Sequence, residues 1–212
     1  MSYRVVIPTA GTGSRLEGLT KYVNKSLVGI ANRPIISHLI EQFPEDCEFV
    51  IALGYKGKLV RDFLELVYPD RTFFFTNVEY FKGKKSGLGL SLLSCKEYLQ
   101  QPFVFLSCDT LVKGRIPEPN CNWMGFAKKD NLSEYRTVNV LKGHVSEICE
   151  KGIVKKNLHA YIGISGVYDY QEFWKGMQAG KMTAIHQGES YGLKAILKNN
   201  TIFANRFQWF DT

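Results

Sequence analysis

The stretch Arg4-Val5-Val6-Ile7-Pro8-Thr9-Ala10-Gly11-Thr12-Gly13-Ser14-Arg15-Leu16 constrains this chain more than any other. An apolar run, Val5-Val6-Ile7, leads straight into a loop of small residues. A run with no polar alternation predicts a strand buried on both faces. Gly11 and Gly13 let the backbone turn with positive φ and let a ligand approach where a Cβ would block it. Backbone N–H groups, the Ser14 hydroxyl and Arg15 then point at something anionic, and a phosphate chain suits that place. Ala10, Gly11, Thr12, Gly13 and Ser14 are therefore candidate nucleotide-binding residues. The same stretch also suits a plain strand-to-helix turn that carries an arginine.

Two familiar phosphate loops do not match. A dinucleotide fingerprint needs a third glycine where this chain has Leu16. The P-loop needs Gly-Lys-Ser or Gly-Lys-Thr, and here the loop closes with Ser14-Arg15.

Beyond the loop, two periodicities alternate. Ile35, Ile36, Leu39, Ile40 and Phe43 fall at helical spacing, with Pro34 placed for a first turn. Residues 48–53 form a second buried strand, and 59–67 a helix stopped by Pro69. Residues 72–78 predict a third strand, 87–99 a helix, and 103–107 a fourth strand that ends at Cys108-Asp109-Thr110. This alternation predicts parallel βαβ units. Residues 1–112 thus read as the nucleotide-binding half of an α/β fold with a doubly wound, mostly parallel sheet. Such sheets bind ligands at the carboxyl ends of their strands. After Val112 the pattern changes to short strands over 123–128, 136–141, 145–149 and 160–168, with turn chemistry at 131–133 and at Lys142-Gly143. Helices return over 171–177 and 191–198, and residues 201–204 and 207–210 read as extended. Residues 113–212 form a mixed α+β substrate-binding annex, and 1–212 a single domain, which the length suits.

Composition narrows the function classes. The net charge of +7 is spread, with short clusters only at 82–85 and 151–156. A nucleic-acid binder needs a denser basic stripe with interleaved aromatics, so none is expected as a partner. A diffuse positive field suits small polyanionic substrates. The five cysteines are odd in number and scattered, which argues against a disulfide framework and against a zinc site. No apolar run reaches bilayer length, so no membrane insertion is expected. Pro8, Gly11 and Gly13 break any signal-peptide pattern, and the chain reads as cytoplasmic.

The pattern Gly11-x-Gly13-x-Arg15-Leu16, followed by Asn24-Lys25-Ser26-Leu27, resembles the signature of the sugar-phosphate nucleotidyltransferase family. That signature is usually written G-x-G-T/S-R-L and then P-K-x-L, so Asn24 departs from its proline. Later blocks follow in the family's order, and the resemblance implies a Rossmann-like nucleotidyltransferase fold. It places Gly87, in Ser86-Gly87-Leu88-Gly89, along the nucleotide base and ribose. It makes Asp109, after the fourth strand, a Mg²⁺ ligand and nucleotide contact, and Asp211, in Trp209-Phe210-Asp211, the second metal ligand. Read alone, Asp109 also suits a turn, and Gly87 a simple helix start. Glu150-Lys151-Gly152 resembles the family's Glu-Lys-Pro block, and Gly166-Val167-Tyr168 its Gly-x-Tyr. Lys151 would then hold the acceptor phosphate, with Glu150 and Gly166 as acceptor contacts. Glu189 is a further acceptor candidate and equally suits an exposed acid at a helix start.

The resemblance implies a Mg²⁺-dependent transfer of NMP from an NTP to a sugar 1-phosphate, giving NDP-sugar and pyrophosphate, for surface polysaccharide synthesis. Arg15 would hold the leaving phosphates and Lys25 would neutralise the α-phosphoryl charge, making Arg15, Lys25 and Lys151 the catalytic set. Short relatives include cytidylyltransferases for phosphocholine or phosphonates, and Tyr161, Tyr168, Tyr170, Trp174, Trp209 and Phe210 offer stacking for a sugar or a cage for a quaternary ammonium. A non-catalytic nucleotide sensor is a further alternative, although such a module would be expected to lose Lys25, Asp109, Lys151 or Asp211. A related glycosyltransferase would carry Asp-x-Asp where this chain has Asp109-Thr110-Leu111. The family's habits also lead one to expect a longer polypeptide with a fused second domain, and oligomers.

Overall fold

The computed structural model describes residues 3–153 and 155–211, with the side chains of Glu17 and Asp211 outside the description. In chain order, the first half holds β1 (Arg4–Pro8), the paired β2 (Gly29–Ile30) and β3 (Arg33–Pro34), α1 (Ile35–Ile40) and β4 (Glu48–Leu53). α2 (Gly57–Val67), β5 (Phe73–Asn77), α3 (Leu88–Cys95), β6 (Phe103–Leu106) and β7 (Thr110–Lys113) follow. The second half holds β8 (Trp123–Ala127), β9 (Thr137–Leu141), β10 (His144–Cys149) and β11 (Leu158–Val167). It closes with α4 (Tyr170–Ala179), α5 (Lys181–Gln187), α6 (Glu189–Leu197), β12 (Phe203–Arg206) and β13 (Gln208–Asp211). Short 3₁₀ turns span Ser14–Thr20, Lys25–Leu27 and Lys96–Tyr98.

One mixed sheet organises the described residues, in the order β5-β4-β1-β6-β11-β8-β12-β10-β9. β5, β4, β1 and β6 are mutually parallel. From β6 onward only β12 and β8 pair in parallel, and the other ladders are antiparallel. The expectation of a mostly parallel sheet therefore holds for the first four strands and not for the whole. The reason is chain length between strands. Lys142 and Gly143, with φ 49° and 81°, form a two-residue connection between β9 and β10. Such a link can join only antiparallel neighbours. The annex strands also extend the first sheet instead of stacking upon it.

Strand β1 is buried on both faces, as its apolar run predicts. Val5 and Ile7 pack with Ile36 and Leu39 of α1 and with Val60 and Leu64 of α2. Val6, facing the other way, joins Leu92 and Cys95 of α3, Trp174 of α4 and Leu193 of α6. The alternation of Cβ direction along a strand thus assigns successive residues to two cores. Trp174 is wholly core: its indole N–H donates to the Leu99 carbonyl at 2.9 Å, and its ring stacks on Phe103 at 5.8 Å.

Besides the short pair β2 and β3, β7 and α5 escape sequence reasoning. β7 is only four residues long and pairs with β13 alone. α5 carries no side-chain cap and buries only Ala184 fully, so its sequence lacks an amphipathic stripe.

Candidate active site

Pairing partners of β1 set the place of the site. β4 lies on one side of it and β6, much later in the chain, on the other. The loops after β1 and β6 diverge there, which opens a crevice at the strands' carboxyl ends. A cleft of 420 Å³ occupies it, lined by Ala10 through Leu16, Lys25, Gly87, Leu88 and Ser107 through Asp109, among others.

Gly13 is required by the fold. Its φ of 64° is left-handed, and a Cβ would meet Thr20 Cγ2 at 2.8 Å and Lys25 Cβ at 3.0 Å. It starts the 3₁₀ turn that carries Ser14 and Arg15. Gly11 differs: a Cβ there would meet nothing within 4 Å, so internal packing does not demand a glycine. Gly87 lines the cleft, yet its missing side chain answers to helix packing. A Cβ at Gly87 would strike the Ile185 carbonyl of α5, and one at Gly89 the Ala184 carbonyl. The bare N-terminal turn of α3 lets α5 lie against it.

Lys25 and Asp109 face each other across the cleft floor. Lys25 Nζ donates to Asp109 Oδ2, and Ser107 Oγ donates to Asp109 Oδ1 at 2.6 Å. Burial acts to raise the Asp109 carboxyl, but Lys25 and the Ser107 hydroxyl outweigh it and hold the group below its ordinary value. Burial likewise opposes the Lys25 charge, and Cys108 and Asp109 more than offset it, so its pKa lies above the ordinary one. Burial pushes the Cys108 thiol up to about 11, which keeps it neutral.

The turn bearing Asp109 is anchored to β11. Ser107 N–H donates to the Gly163 carbonyl at 2.8 Å, and Thr110 Oγ1 donates to the Ile162 carbonyl at 2.6 Å. Gly163, with φ 74°, approaches so closely that a Cβ would meet Ser107 Cβ at 2.9 Å. The register of β11 against β8 shifts here, between Tyr161 and Ser165. A glycine inside a strand run is the sequence signal for such a bulge.

A second chamber of 210 Å³ adjoins the cleft and shares Arg15, Leu88, Ser107 and Asp109 with it. Its far wall includes Arg136, Lys151, Tyr161 and Glu189. Lys151 is exposed. Partial burial, together with the Arg15 and Arg136 guanidinium groups, holds its pKa below the ordinary lysine value. Arg15, Arg136 and Lys151 share the chamber with the carboxyls of Asp109, Glu134 and Glu189, so cationic groups for an anion stand beside acidic ones.

The four acceptor-side candidates are placed differently. Glu150 does not line the chamber; its carboxylate accepts from Arg136 Nε at 2.9 Å and Lys194 Nζ at 2.5 Å. Burial acts to raise its carboxyl, but Lys194 and Arg136 prevail and lower it. Glu150 thus fixes Arg136, which the chamber does expose. Gly166 is also away from the chamber, because its missing side chain makes room for the Trp123 indole. Glu189 is not a solvated helix-start acid: its side chain is 3% exposed and lies 3.9 Å from Arg136 Nη1. No hydrogen bond of good geometry reaches its Oε2 or the buried Tyr161 hydroxyl, although the two groups lie near enough for Tyr161 to act to lower the Glu189 carboxyl. Unpaired polar atoms in a chamber wall cost free energy that a ligand's donors would recover. Burial raises the pKa of both groups.

Two aromatic rings, Tyr135 and Trp209, meet edge to face at 5.4 Å on the chamber's rim. Lys129 Nζ sits over both, 5.1 Å and 4.9 Å from the centroids. A lysine thus already fills a position that a quaternary ammonium would seek. Tyr80 and Phe81, which sequence reasoning passed over, line the nucleotide cleft.

The second metal candidate falls at the edge of the description. β13 pairs with β7 so that the backbone of Asp211 lies opposite Thr110, the residue after Asp109. The Asp211 side chain lies outside the described residues. Among the described residues no group of three or more His, Cys, Asp or Glu forms a metal cage. Magnesium does not need one, because it binds through one or two carboxylates with phosphate oxygens and water. Asp109, placed where both chambers meet, fits that mode.

No family model matches the chain. It is 26% identical over 175 residues to the bifunctional protein GlmU of Methanococcus vannielii, covering 79% of this chain and 41% of that protein. It is 29% identical over 112 residues to the low-salt glycan biosynthesis nucleotidyltransferase Agl11 of Haloferax volcanii, covering 51% and 30%. The chain therefore spans less than half the length of these relatives. Among solved structures, it superposes on a UDP-glucose pyrophosphorylase complexed with UDP-glucose, with TM-score 0.80 at 18% identity over 99% of this chain and 92% of that one. It also superposes on the CTP:phosphocholine cytidylyltransferase LicC of Streptococcus pneumoniae, with TM-score 0.77 at 16% identity over 100% and 94%. The fold is that of these solved structures.

The chain is thus similar in sequence to relatives of the sugar-phosphate nucleotidyltransferase family and shares the fold of the solved structures named above.

Two departures from this family's signature acquire physical reasons. Asn24 stands where the nucleotidyltransferase pattern has proline, and its φ of −70° with ψ 150° is a conformation proline also adopts. Gly152 stands where the pattern has proline after Lys151, and its φ of 81° is closed to proline. The first replacement keeps the backbone of its prototype; the second gives the loop after Lys151 a path of its own.

Proposed function

We propose that this chain transfers an NMP unit from an NTP to a sugar 1-phosphate, releasing pyrophosphate. The observation that carries the reading is that Arg15 and Asp109 line both chambers, at the point where an NTP in one would meet a phosphate in the other. The acceptor phosphate oxygen attacks the α-phosphorus. A new P–O bond forms, the bond from the α-phosphorus to the bridging oxygen breaks, and pyrophosphate leaves with that electron pair. The loop from Gly11 to Ser14 and Arg15 hold the departing phosphates. Lys25 offsets charge at the α-phosphoryl, and Lys151 holds the attacking phosphate, so catalysis is positioning and charge stabilisation. A phosphate monoester is largely ionised near neutral pH, and no general base is required. Asp109, with Asp211, would hold Mg²⁺, which would supply charge stabilisation to the phosphates.

Glu189 and Tyr161 supply unpaired polar atoms for acceptor hydroxyls, which favours a sugar. The alternative, a cytidylyltransferase for phosphocholine, fits less well because Lys129 already covers the Tyr135 and Trp209 rings. The product would serve surface polysaccharide synthesis. The test is pyrophosphate release in a screen of five NTPs against sugar 1-phosphates, phosphocholine and phosphonates. Release with a sugar 1-phosphate supports the reading. Release only with phosphocholine or a phosphonate selects the alternative. NTP binding without turnover on any pair identifies a nucleotide sensor.

A further inference from the structure

Asn24 is fully buried, and so is its neighbour Ser26. Its side-chain amide is saturated. Nδ2 donates to the Thr9 carbonyl at 2.9 Å and to the Tyr55 carbonyl at 2.6 Å. Oδ1 accepts from the Ser26 N–H and from Ser26 Oγ, each at 2.9 Å. One side chain therefore ties three segments: the end of β1, where the phosphate loop begins, the loop after β4, and the 3₁₀ turn Lys25–Leu27 that it caps. The loop after β4 is itself gripped by the phosphate loop, through Tyr55 N–H to the Ala10 carbonyl at 3.0 Å. Lys25 is the first residue of the capped turn, so its Cα inherits the position Asn24 sets.

We propose that Asn24 is a positioning residue that aims Lys25 into the nucleotide cleft through its amide bonds, and not merely through the backbone angle it shares with proline. The inference rests on the proposed role of Lys25 in turnover, but its structural half does not. A proline at this site would keep φ near −70° and remove all four bonds, so Asn24→Pro separates the two explanations. Asn24→Asp keeps the acceptor bonds to Ser26 and loses the donors to Thr9 and Tyr55.

The experiment has two readouts. The first is a double-mutant cycle on kcat. Asn24→Ala and Asn24→Pro should each lower kcat by about 10-fold or more, with the KM for NTP changed less than about threefold, and Asn24→Asp should fall with them. In a Lys25→Ala background the same substitutions should change kcat by less than about twofold, because a residue that acts through Lys25 has nothing left to aim. Full kcat in Asn24→Pro, or an undiminished effect in the Lys25→Ala background, would overturn the proposal. If Lys25→Ala alone leaves kcat unchanged, the catalytic reading fails and the second readout decides the positioning claim. It is the rate at which an amine-acylating reagent labels Lys25, read by peptide mass spectrometry against exposed Lys142 as the internal reference. Asn24→Ala should raise the Lys25 rate about fivefold or more, and an unchanged rate would overturn the claim. Should Asn24→Ala unfold, Ser26→Ala removes a single bond and should move both readouts the same way by a smaller factor; no movement counts against the proposal.

Discussion

Lys25 and Asp109 are 84 residues apart in sequence and form an ion pair on the floor of the nucleotide cleft. Both side chains are partly buried, and each favours the charged form of the other. The pairing places a cation and a carboxylate side by side in the cleft, where the proposed reading brings an NTP's phosphates. Three backbone features flank it: the Asn24 cap of the Lys25 turn, the left-handed Gly13 packed on Lys25, and the bulge at Gly163 packed on Ser107.

Removing the cation should cost rate more than binding. Lys25→Ala is expected to lower kcat by about 100-fold or more, as for loss of one preorganised donor to developing charge. Circular dichroism and steady-state kinetics check this together. An unchanged kcat in a folded variant removes Lys25 from the chemistry.

Removing the carboxylate should act through the metal. Asp109→Asn is expected to abolish Mg²⁺-dependent turnover while NTP still binds weakly through the loop, as measured by calorimetry with and without Mg²⁺. Full wild-type activity in EDTA would contradict the metal role. Asp211→Ala is expected to weaken the Mg²⁺ dependence in the same assay.

Glu189 should show a trade between stability and function. Burial raises its pKa in the fold, so the folded state is penalised as pH rises above the unfolded value of about 4.3, and the penalty is complete above the folded pKa. Glu189→Gln relieves that penalty at neutral pH. The variant is therefore expected to melt higher than wild type at pH 8, with the difference shrinking at pH 4. It should also raise the acceptor KM by about 10-fold, because a carboxylate that accepts from a hydroxyl is lost. A lower melting temperature at pH 8 would show that pairing with Arg136 outweighs burial.

Glu150 should behave in the opposite sense. Its carboxyl is lowered in the fold by Lys194 and Arg136 against the effect of burial. The stability it contributes is present above the unfolded value of about 4.3 and lost as pH falls through the folded pKa. Glu150→Gln should therefore destabilise the protein at pH 7, by about 1–3 kcal/mol as for a hydrogen bond to a charged group, and not at pH 3. Denaturant titrations at the two pH values measure this.

Much of the first half was legible in the sequence. Val5-Val6-Ile7 reads as a doubly buried strand, and Gly13, Arg15, Lys25 and Asp109, which the sequence groups as candidates, line one cleft. Local pattern reached these residues because each sits in a short stretch whose chemistry is unusual. The annex was less legible. The parallel order expected for the sheet failed after β6, since the direction of β11 depends on pairing partners 58 to 64 residues away. Glu150 and Glu189, both expected at the acceptor, part for a similar reason: which acid meets Arg136 and Lys194 and which faces the chamber is set by how α6 packs on β10. Nor does sequence show that Gly87 and Gly89 answer to α5, an element with no stripe to betray it.

The central claim is that the α-phosphoryl group moves from nucleotide to acceptor, and an isotope label follows it directly. The most active pair from the screen would be run with NTP labelled at the α-phosphorus and a sugar 1-phosphate, and the products separated. The account predicts that all converted label resides in NDP-sugar, with one pyrophosphate formed per labelled product. Label released as free NMP, or pyrophosphate formed without labelled NDP-sugar, would contradict it.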